Sequence, residues 1–164
     1  MRCAPRHILV PVDADIAADR EMSDSLVDAA IDMSGALDAT LTLLHVALPA
    51  PGDQPPAASN GDSLGDAYSA MIAVVASRNQ AASERMAELK QRVVARGRTC
   101  ETKIVTSTDS VPEAIVASAA EAGADLLMMT SHGRRGLKKV VMGSVAERTT
   151  HLSTVPVLLL PPLR

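Results

Sequence analysis

The stretch TSHGRRGLKKVVMGS, residues 130–144, gathers three glycines, one histidine and four cationic side chains directly after the apolar run ADLLMM. These residue types suit an anion. Gly143 allows close backbone approach, and the Ser144 hydroxyl can donate to an oxyanion. If a helix opens at Ser144, its first free amides and the positive end of its dipole favour a phosphate. Gly133 would release the chain into a tight turn. Ser131, Arg134 and Arg135 would add polar or charged contacts. A Gly-Ser helix start beside a solvated basic loop, carrying Lys138 and Lys139 as well, accounts for the same residues equally well on their own.

A second candidate is Asp13, which closes the apolar run HILVPVD. A carboxylate at the end of a buried strand needs partners, either nearby loop amides or a ligand. His45, His132 and His151 lack the spacing of metal ligands, so core or hydrogen-bonding roles are expected, with His132 near any bound phosphate. There is no GxxxxGK[ST], no GxGxxG after the first strand and no GxSxG elbow, and no nucleophile stands beside a base. Cys3 and Cys100 sit in no CxxC or nucleophile setting.

Positioning these residues requires a sheet. Apolar runs at 7–13, 39–48, 101–107, 124–130 and 155–160 read as strands, the third alternating more than the rest. Near-continuous apolar strands imply a sheet covered on both faces. Between them lie helical patterns at 22–37, 66–96, 111–123 and 143–152. The first would bury Met22, Leu26, Ala29, Ala30 and Met33. The third starts with a proline in its first turn and stops at Gly123. Such alternation predicts one α/β domain, a Rossmann-like doubly wound parallel sheet with helices on both faces. Residues 47–65, rich in Pro, Gly and Ser, break the rhythm as a long flexible loop. The sites of such sheets lie beyond the carboxyl ends of the strands, where strand order reverses.

Composition narrows the function. The chain has 164 residues, 47% of them hydrophobic, with no Trp or Phe and a single Tyr. The core must therefore be aliphatic, and the near absence of aromatics argues against stacking single-stranded nucleic acid on aromatic platforms. A net charge of −3 gives no general attraction to nucleic acid or anionic membranes. Without a long apolar run or a secretory leader pattern, the chain reads as cytoplasmic.

Taken together, HILVPVD, LLHV, SVPEAI and ADLLMMTSHGRRGLKKVVMGSVAERTTHLSTVPVLLL resemble, in order, the universal stress protein family. The resemblance covers nearly the whole chain and is weakest through 47–65. It implies a five-stranded sheet of order 3-2-1-4-5, a homodimer, and ATP or AMP bound through G-x2-G-x9-G-[ST]. Gly133, Gly143 and Ser144 match that motif, while Thr130 stands where its first glycine would, which implies weakened rather than abolished binding. By the same resemblance Asp13, flanked by Pro11 and Val12, accepts hydrogen bonds from adenine or ribose. Val46 and Met129 line the adenine pocket, and Val145 offers an amide to the phosphates. Asp109 replaces another frequent glycine. Any Mg²⁺ carried by the nucleotide would have Asp13 or Ser144 as ligands. The strand from Val155 to Leu160, an apolar sheet edge, is the expected dimer seam. The implied function is a nucleotide-binding stress-response regulator. Two alternatives stand beside it: an interaction protein with an empty or different-anion pocket, and a slow ATP hydrolase.

Overall fold

The structure, a computed structural model, describes residues 4–14, 20–49, 63–108, 110–131 and 142–161. Along them run β1 (His7–Pro11), α1 (Arg20–Leu37), β2 (Thr40–Ala47), α2 (Ser63–Ala95), β3 (Cys100–Thr106), α3 (Val111–Ala122), β4 (Leu126–Thr130), α4 (Ser144–Leu152) and β5 (Val157–Leu160). The strands form one parallel sheet in the order β3-β2-β1-β4-β5. Strand order therefore reverses between β1 and β4.

The burial pattern follows from position. Ile8, Leu9 and Val10 of the central β1 are fully buried, because helices cover both faces. On one face Ile8, Val10, Leu41, Leu43 and Met128 pack with Leu26 and Val27 of α1 and Met86 and Leu89 of α2. On the other, Leu9, Leu44 and Leu127 pack with Ile115 and Ala119 of α3. The edge strand β3 alternates towards solvent, as its more polar sequence requires.

α3 ends as its sequence suggests. Gly123 adopts φ 63°, and the Gly123 and Ala124 amides donate to Ala120 and Ala119 oxygens at 3.2 and 2.9 Å. This is the left-handed stop that only glycine makes without strain.

Four expectations are corrected. The buried stripe of α1 is Ser23, Leu26, Val27, Ala30, Ile31 and Ser34, whereas Met22, Ala29 and Met33 are only half-buried. Two small serines occupy core positions, so apolar spacing alone rotated the face. β1 closes at Pro11, with Asp13 two residues beyond it. The last strand is four residues, Val157–Leu160, all half-buried, while Val155 packs under the sheet without joining it. α2 begins at Ser63, inside the segment read as loop, whose residues 50–62 lie outside the described residues.

Ion pairs fasten α1 to α2. Arg85, whose side chain is 3% exposed, contacts Asp24 and reaches Glu88 at 3.0 Å. Arg92 reaches Asp24 at 3.3 Å and donates to Asp28 through Nε at 2.9 Å. Burial works against the Arg85 charge, but hydrogen bonds to Glu88 and Asp24 outweigh it and hold the guanidinium above its usual value.

Cys100 opens β3 as a buried thiol whose pKa burial pushes up to about 11. A raised value means the neutral thiol is favoured by folding. Its contribution is complete below the ordinary cysteine value of about 8.5 and is lost as pH rises through about 11. Iodoacetamide at pH 8 is therefore expected to leave Cys100 unlabelled in native protein and to label it fully in urea, read peptide by peptide by mass spectrometry. Between roughly pH 9 and 11 the urea midpoint should fall further for the wild type than for Cys100→Val.

Candidate functional site

The site is built where the strand order reverses. β1 continues its ladder for one bond past its end, as the Val12 amide donates to the Leu44 oxygen at 2.8 Å. The chain then presents Asp13, half-buried, before the buried Ala14. Two buried side chains hold this corner. His45 Nδ1 lies 3.2 Å from both the Ala14 amide nitrogen and the Val12 oxygen, and the Ser23 hydroxyl reaches the Asp13 oxygen at 3.4 Å.

Beside it, β4 ends at Thr130, and Ser131 donates its amide to the Leu160 oxygen at 2.8 Å. The Ser131 oxygen accepts from the Gly143 amide, also at 2.8 Å. That bond returns the chain to the end of β4, so α4 starts immediately above the strand. Gly143 is the N-cap, with φ −64° and ψ 145°, and its oxygen accepts the first helical bond from Glu147 at 2.9 Å. The amides of Ser144, Val145 and Ala146 precede that bond and have no intrahelical acceptor. Ser144 is exposed, and Val145 is 37% exposed beside exposed Met142. An apolar pair at a helix start next to free amides is a surface suited to an amphipathic anion.

Strand alternation sorts the remaining candidates. Pro11, Val46 and Met129 share parity with Leu9, Leu44 and Leu127, on the α3 side of the sheet. Val46 and Pro11 are half-buried and Met129 is buried. Thr130 shares parity with Met128, and so turns its side chain towards the α1 side. Val12 also points away, into the α1–α2 core, and meets the site through its backbone. Gly133 and Arg134 lie outside the described residues, as do His132, Arg135, Lys138, Lys139 and Asp109. His151 bonds the Glu147 oxygen through Nδ1 at 2.9 Å, within α4.

Sequence reading missed three parts of this arrangement: the Ser131–Gly143 bond, Ser23, and the ion pair in which Arg148 Nε donates to Glu113 at 2.9 Å, joining α4 to α3. Only the small residues at 131 and 143 hinted at the first.

The sequence profile of the universal stress protein family matches residues 5–161. The chain belongs to that family. A universal stress protein of Bacillus subtilis, YxiE, is 28% identical over 155 residues, spanning 93% of this chain and 96% of its own. Among solved structures, a universal stress protein in complex with cAMP is similar with a TM-score of 0.63 and 20% identity, covering 98% of this chain and 99% of its own. The universal stress protein of Archaeoglobus fulgidus in complex with dAMP has a TM-score of 0.60 and 16% identity, covering 94% and 96%. These likenesses extend the family assignment to the fold, with its strand order and its helices on both faces.

A cavity of about 530 Å³ lies elsewhere in this family member, between α2 and the ends of β2 and β3, with Leu48, Met71, Val75 and Thr106 among its walls. It shares no lining residue with the set Pro11, Asp13, Val46, Met129, Ser144 and Val145. Volume and chemistry therefore point to different places. The strand-order reversal, with helix amides at its rim, is the stronger indicator, because it brings directed donors to one point. No described helix is long and apolar enough to cross a membrane.

Proposed function

We propose that this universal stress protein binds an adenine nucleotide, ATP or AMP, across the carboxyl ends of β1, β2 and β4, and works as a nucleotide-responsive regulator. The observation that carries the reading is the Gly143–Ser131 hydrogen bond, which sets the amides of α4 at the point where strand order reverses. Phosphates meet the amides of Ser144 and Val145 and the Ser144 hydroxyl, with the helix dipole behind them. Adenine lies on Val46 and Met129 beside Pro11, and the Asp13 carboxylate accepts from the ribose or the base. Gly133, which matches the family motif, and Arg134, by its charge, are proposed as further phosphate contacts, both outside the described residues. Where ATP arrives with Mg²⁺, Asp13 or Ser144 would supply an oxygen ligand to the ion, which would offset phosphate charge. The cAMP and dAMP bound by the two similar family members support an adenine-bearing ligand.

The same reading includes a homodimer through β5. Its four half-buried residues form the sheet edge beyond β4, and an apolar edge strand is covered by pairing with a second copy.

Heat or acid release of the ligand that co-purifies with the protein, followed by chromatography, tests the proposal. About one ATP or AMP per chain is expected, with a melting shift on adding millimolar nucleotide to stripped protein. An empty site that gives no shift with ATP·Mg²⁺ or AMP would sink the reading in favour of an interaction protein.

A further inference from the structure

Asp13 sits outside any strand, yet the peptide units on either side of it are held from two elements. From β2, Leu44 accepts the Val12 amide and His45 Nδ1 lies 3.2 Å from the Ala14 amide; from α1, the Ser23 hydroxyl donates to the Asp13 oxygen. His45 is 2% exposed, so water does not compete for its ring. Nδ1 can satisfy only one of its two neighbours at a time. It accepts from Ala14 when unprotonated and donates to Val12 when protonated. Whichever ring nitrogen carries the proton, Nδ1 holds the corner, through the Ala14 amide or through the Val12 oxygen.

We infer that His45 is a positioning residue for the ligand site: it touches no ligand, but its Nδ1 fixes the Val12–Ala14 corner and so aims the Asp13 carboxylate. The inference rests on the nucleotide reading above and deepens it. Losing Nδ1 takes a buried partner from the peptide groups of this corner, and the corner must rearrange to find another.

Three substitutions separate this role from packing. Asparagine places Oδ1 where Nδ1 stands, glutamine moves its amide one bond further, and leucine fills the space with no acceptor. His45→Asn is expected to keep AMP affinity and slow hydrogen exchange at the Ala14 amide near wild type. His45→Leu and His45→Gln should weaken AMP binding by about tenfold and speed Ala14 exchange by a similar factor. Binding is read by titration calorimetry and exchange by NMR, on variants whose melting remains cooperative. A folded His45→Gln that binds AMP as tightly as wild type overturns the inference, as does equal loss in His45→Asn and His45→Gln. Failure of the wild type itself to bind AMP overturns the nucleotide reading instead, and Ala14 exchange then still decides whether the His45 clamp exists.

Discussion

Arg85→Ala is expected to lower stability by about 3 kcal/mol, and the melting temperature by roughly 6–12 °C for a chain of this size. Arg85 is a buried cation held from both sides, with Asp24 on α1 and Glu88 one turn along α2. Truncation removes both pairs and the packing of the buried stem. It also takes away the donor to the Arg20 oxygen at the start of α1. Asp24 is not wholly stranded, because Arg92 reaches it at 3.3 Å, and both are partly exposed, so solvent screens what remains. With Asp24 and Glu88 so relieved, most of the expected loss comes from the buried stem, which alanine removes. The Arg85 Nε is buried and has no hydrogen-bond partner among the described residues, which means the guanidinium is not perfectly accommodated. Arg85→Met, which keeps the stem and discards the charge, should therefore cost under about 1.5 kcal/mol. Urea unfolding with unchanged m separates the two cases. Equal losses for alanine and methionine would mean that the charge pairs, and not the packing, hold α1 on α2.

Much of this fold was legible because burial on two faces writes itself into sequence. Ile8, Leu9 and Val10 are apolar in succession because both faces of β1 are covered, and β3 alternates because it lies at an edge. The Pro112 start and Gly123 stop of α3 are local rules, read off without tertiary knowledge. The rotated face of α1 was not legible. Ser23 and Ser34 are polar by type but small enough to sit in the core, Ser34 bonding the Ile31 oxygen at 2.8 Å. Arg85 looked like any cation on a helix, and its partner Asp24 stands on another helix. Of the site, Asp13 and the Gly143–Ser144 helix start were visible as types at strand and helix ends. The means of holding them were not. His45 meets Ala14 and Ser131 meets Gly143 only after the strands have paired and the chain has returned, so no local spacing encodes either contact.

The second large effect is expected at the phosphate end. Ser144→Pro should weaken nucleotide binding by about 30-fold or more while leaving the melting temperature of ligand-free protein within a degree or two. Ser144 is the first helical residue of α4, where proline is preferred: its missing amide hydrogen has no intrahelical acceptor to lose, and its fixed φ suits the helix. The residue before it must also tolerate proline, and Gly143 with ψ 145° already has the extended conformation that proline demands. The substitution thus removes one amide donor and one hydroxyl without disturbing the Gly143–Ser131 bond or the helix. Ser144→Ala removes the hydroxyl alone, so the difference between the two variants isolates the amide. Calorimetric titration with AMP reads both. If Ser144→Pro binds as wild type does, the phosphates do not rest on α4, and the helix start at Gly143 serves the fold alone. If Ser144→Ala loses as much as Ser144→Pro, the hydroxyl is the anchor and the dipole is secondary. A stepwise loss, small for alanine and large for proline, is what backbone amides at the reversal of strand order require.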